Sequence, residues 1–97
     1  MPQEAMLKLI RQAAQKLKPV VSPTPVVYSS SFSALFGFES FLKLENLQKT
    51  GSFKVRGAYN KIASASKEDM AKGVITASSG NNAQGVAWAA SMQGVRA

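Results

Sequence analysis

Apolar and polar positions follow a helical period near the start of the chain. In the segment EAMLKLIRQAAQKL, Met6, Ile10, Ala13 and Leu17 form an apolar stripe, and most basic and amide side chains lie on the opposite face. We therefore expect an amphipathic helix within residues 1–18 that docks on the rest of the protein. The stripe lacks the Trp and Phe anchors of a membrane-surface helix, and no apolar run approaches the ~20 residues that cross a bilayer.

A proline-rich segment with Pro19, Pro23 and Pro25, and then short apolar runs, follow this helix. The run VVY predicts a short strand, and SSFSALFG predicts a short helix closed by Gly37. Residues 39–97 then contain two strand–helix units. The first consists of strand SFLKLE, loop NLQKTG and helix SFKVRGAYNKIASA, and the second of strand GVITAS, turn SG and helix NNAQGVAWAASMQ. This alternation predicts an α/β fold with parallel strands, in which ligands bind where a strand ends and the next helix begins.

Lys54 lies at such a position, in the first turn of the first predicted helix. A cation there faces the positive end of the helix macrodipole, where Asp or Glu would be favoured. The helix terminus and desolvation both favour the neutral amine, which is a nucleophile that can form an imine with an aldehyde. The alternative is a structural lysine whose ammonium group reaches solvent over the helix.

The stretch SSGNN occupies the corresponding position in the second unit. Gly80 allows a tight turn and close approach of the backbone to a ligand, and the first helical turn leaves N–H groups unpaired. Ser78, Ser79 and Asn81 add short hydroxyl and amide donors, so the sequence predicts a site for a carboxylate or a phosphate. The alternative is an ordinary helix with Ser or Asn as its N-cap.

Composition narrows the possible chemistry. The 97 residues include no Cys and no His, which excludes disulfides, thiolate nucleophiles, imidazole acid–base catalysis and Cys/His zinc sites. The net charge of +7 is spread along the chain without a contiguous basic run, so we expect no nucleic-acid partner. The five acidic residues are too scattered to indicate paired-carboxylate catalysis. With no transmembrane or signal segment, we expect a cytoplasmic protein without a membrane partner.

The stretch LENLQKTGSFKVRGAYNKI, followed by GVITASSGNNAQGVAWAA, closely resembles the threonine/serine ammonia-lyase (dehydratase) branch of the fold type II pyridoxal 5′-phosphate (PLP) enzymes, which includes serine racemase. The resemblance covers essentially the whole chain. It implies part of a three-layer α/β fold of the tryptophan-synthase-β-like class, with PLP as cofactor and an amino acid as substrate. By this resemblance Lys54 is the Schiff-base lysine, Phe53 packs on the cofactor ring and Asn81 pairs with the ring's 3′-hydroxyl. The substrate-carboxylate loop is Ser78, Ser79, Gly80 and Asn81, with Gln84.

The implied reaction is β-elimination from L-threonine or L-serine, which gives a 2-oxo acid and ammonia. The family often reads S-A-G-N-H, whereas Ser79 and Asn82 stand here in place of Ala and His. In the racemase branch a serine at the position of Ser79 is the second base on the opposite face of Cα, so serine racemisation is the alternative activity. A small loop residue without a chemical role is the other interpretation of Ser79. We expect Asn82 to affect support of the loop.

Two parts of the family pattern have no match in these residues. They are the Gly-rich loop for the cofactor phosphate and the hydroxyl or thiol residue that pairs with the pyridine nitrogen. We therefore expect residues 1–97 to be the N-terminal portion of a longer, homo-oligomeric enzyme. A hypothesis of another class is that the 97 residues alone are catalytically inert, as a truncated product or as an interaction unit whose exposed sheet edge pairs with another chain.

Overall fold

The computed structural model describes all residues, 1–97, as five α-helices, two short strands and two 3-10 turns. The helices are α1 (Gln3–Leu17), α2 (Ser30–Phe36), α3 (Lys54–Ala63), α4 (Lys67–Lys72) and α5 (Asn81–Met92). The strands are β1 (Val26–Tyr28) and β2 (Phe41–Lys43), and the 3-10 turns are Glu45–Leu47 and Lys49–Gly51. None of the helices has both the length and the apolar character that a membrane span requires.

Local signals explain both ends of α2 and the start of α4. The Ser29 hydroxyl accepts a hydrogen bond from the N–H of Phe32 and caps α2, which ends at Gly37 with φ 76°, as predicted. In the same way Ser66 caps α4 through the N–H of Asp69. Helix α4 was not predicted, although a serine followed by two acidic residues in the first turn is a helix-start signal.

The sheet differs from the prediction. Strands β1 and β2 pair antiparallel, with Val26 opposite Lys43, and they form the sheet of this chain. The parallel pairing predicted for the strands of the two strand–helix units does not form in this structure, because only the first of them, β2, is a strand here. The predicted strand at 73–78 is absent, because Val74 makes one backbone hydrogen bond, to the Arg96 carbonyl at 2.8 Å, and Ile75 is 98% exposed. A strand requires a ladder of such bonds to a neighbour.

The core lies between α3 and α5. Ile62 of α3 packs with Ala89 and Ala90 of α5 and with Val95 after it. Small side chains on α5 allow the two helices to approach closely, and Val55 near the start of α3 is fully buried. The α3–α5 pair is therefore the scaffold on which both predicted site segments are mounted.

Helix α1 forms as predicted but docks only at its C-terminal end. There Leu17 is buried, and the Lys16 ammonium donates to the Ser64 hydroxyl beyond α3 at 2.7 Å. The apolar stripe further towards the N-terminus stays about half exposed, including Met6 and Ile10. The predicted docking of the whole stripe is not seen in this chain.

Candidate active site

Lys54 is the first residue of α3, where the sequence placed it. Its backbone N–H lies 3.4 Å from the hydroxyl of the buried Ser52. Its side chain is exposed, and the Nζ atom lies 5.4 Å from the ring centroid of Phe53, which is 59% exposed. None of the three ion pairs of the chain involves Lys54. The structure thus presents a primary amine without a carboxylate partner beside an accessible aromatic ring.

The start of α5 has no side-chain cap. The residue before it is Gly80, and no side chain accepts a hydrogen bond from the N–H groups of the first turn, in contrast to α2 and α4. The Ser78 hydroxyl instead accepts from the Gly80 N–H at 3.2 Å. The alternative of an ordinary Ser or Asn cap is therefore not observed, and the amides of the first turn are available to an anion.

The polar side chains around this helix start point to the same use. The side chains of Ser79, Asn81 and Gln84 are exposed and form no hydrogen bond with other protein groups. Asn82 differs from these residues, because its side-chain amide donates a hydrogen bond to the Thr76 hydroxyl at 3.0 Å. This contact agrees with the prediction that Asn82 supports the loop.

Gly85 brings the two segments together. A methyl group added at Gly85 would lie only 3.1 Å from the carbonyl carbon and 3.2 Å from the Cβ of Lys54. Because Gly85 is buried at this contact, α5 approaches the start of α3 more closely than a larger residue would allow. Asn81 lies one helical turn before Gly85, about 6 Å along the axis. The structure therefore places the backbone of Lys54 about one helical turn from the uncapped start of α5.

A polar network next to this region was not predicted. The Glu45 carboxylate accepts hydrogen bonds from the Arg56 guanidinium, the Thr24 hydroxyl and the Gln48 amide. The Arg56 hydrogen bond is the main cause that lowers the pKa of Glu45 to about 2; burial opposes it, and the bond from Thr24, the Arg56 charge and the bond from Gln48 add to it. The same pairing raises the pKa of Arg56. The sequence carried one signal, an acid at a predicted strand end and an arginine two residues after Lys54.

Comparison with known proteins identifies the family. Residues 17–97 match the sequence profile of the family described as pyridoxal-phosphate dependent enzyme. The chain belongs to this family. Among its relatives, L-threonine ammonia-lyase from Thermotoga maritima is 56% identical over 91 residues, which are 94% of this chain and 23% of the relative. L-threonine ammonia-lyase from Geobacter sulfurreducens is 49% identical over 87 residues, 90% of this chain and 22% of the relative.

A solved structure of this family gives the same result for the fold. Serine racemase from Dictyostelium discoideum superposes with a TM-score of 0.82 at 45% identity, over 92% of this chain and 29% of that chain. This likeness confirms the predicted α/β fold class of the PLP-dependent enzymes. The chain spans about a quarter of the length of the relatives that it matches.

The residues present suit the family's cofactor. PLP has an aldehyde, which an amine can bind covalently, and a flat ring, which an aromatic side chain can cover. Lys54 and Phe53 offer these two groups side by side, and neither is engaged by an ion pair or buried in the core. The membership of the family and the local chemistry of these residues therefore agree.

Proposed function

We propose that this chain is the N-terminal part of the catalytic domain of an ammonia-lyase that removes the amino group of L-threonine or L-serine by β-elimination. The observation that carries the proposal is the Gly85 contact, which brings Lys54 against the helix whose start is uncapped. This part of the domain consists of the amphipathic helix within residues 1–18 and the two strand–helix units within residues 39–97, which carry the lysine and the carboxylate-loop motifs. Two of the relatives are L-threonine ammonia-lyases, which supports this reaction.

Each site residue has a role in this proposal. Lys54 Nζ holds the cofactor and, when free, takes the proton from Cα of the substrate. Phe53 covers one face of the cofactor ring, and the Asn81 side chain donates to the ring's 3′-hydroxyl. When bound, PLP supplies the aldehyde that joins an amine and the ring that accepts the electron pair left at Cα.

The substrate carboxylate binds at the start of α5. Ser78, Ser79 and Asn81 supply hydroxyl, amide and backbone donors, Gly80 leaves room for the carboxylate, and Gln84 lies one turn further along the helix. The positive end of the α5 macrodipole adds an electrostatic attraction. With Cα held in this way and its proton removed by Lys54, the β-hydroxyl would take up a proton and leave as water, and the unsaturated product would hydrolyse to ammonia and pyruvate from serine or 2-oxobutanoate from threonine.

Serine racemisation is the second candidate activity, and Ser79 favours it. Its hydroxyl is exposed beside the helix start and makes no hydrogen bond with the protein, so it is available to a bound substrate. A racemase needs proton transfer on both faces of Cα, with Lys54 on one face and Ser79 on the other. Serine racemases among the relatives support this alternative.

We further propose that the 97 residues alone do not catalyse. Only 10 of the 97 residues are buried, and large apolar side chains such as Phe36, Phe38 and Phe41 are more than half exposed. The Lys54 side chain is also exposed to water. The full-length protein is proposed to be a cytoplasmic homo-oligomer, with an amino acid as its small-molecule partner.

The test of the proposed function is to locate the lysine that binds PLP. Full-length protein loaded with PLP is reduced with borohydride, digested and mapped by mass spectrometry. The pyridoxyl label should lie on Lys54, and Lys54→Ala should lose both the label and the release of ammonia from serine or threonine. The matched control, Lys61→Ala on the same helix, should keep both. A label on Lys49 or Lys61 in the unsubstituted protein would contradict the assignment.

A further inference from the structure

The polar network around Glu45 ties three distant segments of the chain to one another. The Glu45 carboxylate, just after β2, accepts hydrogen bonds from the Arg56 guanidinium of α3. These bonds come from Nε and from Nη2, the latter at 3.2 Å. The carboxylate also accepts a hydrogen bond from the Thr24 hydroxyl, in the segment before β1. The Glu45 side chain is only 15% exposed and that of Arg56 30% exposed, so solvent screens this pair less than a surface pair.

Gln48 extends this network into the backbone. Its side-chain oxygen accepts from the Ser22 N–H at 2.8 Å, and its side-chain nitrogen donates to the Ser22 carbonyl at 2.9 Å. The same oxygen accepts from the Lys49 N–H at 3.0 Å. Gln48 is 5% exposed, so its amide acts as a buried connector between segments 22–24 and 45–49. The two ends of the loop that leads to α3 are thus anchored, at Gln48 on one side and at Arg56 on the other.

The loop between these anchors is strained. Thr50 has φ 60° and ψ 4°, which is a left-handed conformation that a β-branched residue rarely adopts, and Gly51 follows with φ 77°. Such a conformation is unfavourable for a β-branched residue and persists only where the surrounding structure enforces it. The turn at Thr50 ends at Ser52 and Phe53, immediately before Lys54. A change in this turn would therefore move Lys54.

Arg56 does not act by touching the amine. It lies two residues after Lys54 on the helix, and residues at that spacing point to different faces. The network can affect Lys54 only by fixing the backbone on which this residue is mounted.

We infer that the Glu45–Arg56 pair, with Gln48, is a positioning device that holds the strained turn at Thr50 and thereby aims Lys54 at its aldehyde partner. The inference rests on the proposed function, since it gives the network a purpose only if Lys54 binds PLP. Glu45, Gln48 and Arg56 are positioning residues, because they act through the turn and the helix.

The test measures how fast Lys54 reacts in full-length apoprotein. PLP is added, samples are reduced with borohydride at successive times, and the label is quantified at Lys54 and, as internal references outside the turn, at Lys61 and Lys67. Glu45→Gln should slow labelling of Lys54 by about 10- to 100-fold, the range expected when a reacting group is misplaced by about 1 Å. Labelling of the two reference lysines should stay within twofold, because a general loss of stability would not single out Lys54.

Two further variants complete the test. Glu68→Gln removes the acid from an exposed pair with Lys72 on α4, whose atoms are 3.6 Å apart, and it should react at the unsubstituted rate. Arg56→Lys keeps the positive charge but loses the two hydrogen bonds that the guanidinium donates to Glu45. If circular dichroism shows that Glu45→Gln is unfolded, Arg56→Lys is the deciding variant. A folded variant that labels Lys54 at the unsubstituted rate would overturn the inference. A label at another lysine in the unsubstituted protein would overturn the proposed function instead, so the two failures are distinguishable.

Discussion

The ion pair of Glu45 should make stability depend on pH in the acidic range. The pKa of Glu45 is about 2 in the folded protein against an ordinary value of 4.5, mainly because the Arg56 guanidinium hydrogen-bonds to the carboxylate. Each pKa unit corresponds to about 1.4 kcal/mol, so the ionised carboxylate stabilises the folded state by about 3 kcal/mol. Since the folded pKa is lowered, this stability is fully present above the ordinary pKa and is lost as pH falls from 4.5 towards 2.

The substitution Glu45→Gln isolates this contribution. It should lower the free energy of unfolding by about 3 kcal/mol at neutral pH. The difference from the unsubstituted protein should shrink below about pH 5 and be nearly gone at pH 2, because the protonated acid and the amide are then both neutral and of similar size. Urea unfolding of the full-length apoprotein, followed by circular dichroism at a series of pH values, measures the difference.

Glu68→Gln should change the unfolding free energy little at any pH, because its pair with Lys72 is exposed. If Glu45→Gln behaved in the same way, the buried pair would be as weak as a surface pair. A large loss that did not vary with pH would show that Glu45 acts by packing and not by its charge.

Three other outcomes are expected. Ser79→Ala in the full-length protein should reduce D-serine formation from L-serine much more than pyruvate formation, and an equal fall in both rates would remove Ser79 as a face-specific base. Gly85→Val should cost about 1–3 kcal/mol in urea unfolding through its clash with the Lys54 backbone, whereas Gly57→Val, in open space on α3, should not. The 97-residue chain alone should show no tight visible absorbance change on titration with PLP and no ammonia release; a stoichiometric band abolished by Lys54→Ala, with turnover, would contradict this.

Local signals in the sequence were enough to predict most helices. The period of α1, the closing Gly37 of α2, and the position of Lys54 at the start of α3 all depend on residues close together in the chain. The same kind of signal was present for α4 at Ser66 and was overlooked. The strand predicted at 73–78 failed because a strand depends on a distant neighbour, which periodicity does not identify.

In the candidate site, too, the local motifs were predictable from the sequence and the long-range contacts were not. The two motif segments were visible as strand-to-helix junctions, and the family resemblance assigned roles to their residues. The Glu45 network joins Glu45 to Thr24, 21 residues away, and to Arg56, 11 residues away, so no local pattern identifies these partners. The close approach at Gly85 was equally hidden, because a glycine inside a helix does not indicate what its missing side chain would meet.

The bare start of α5 has a consequence for how this segment moves. A helix end without a cap frays, and its first amides exchange with solvent more readily than those of the capped helices α2 and α4. If a carboxylate occupies this end, the ligand itself becomes the cap, and the order of the helix then rises with ligand concentration. Amides 81–83 would become protected from exchange as the site fills, so occupancy could be followed from the backbone without any turnover.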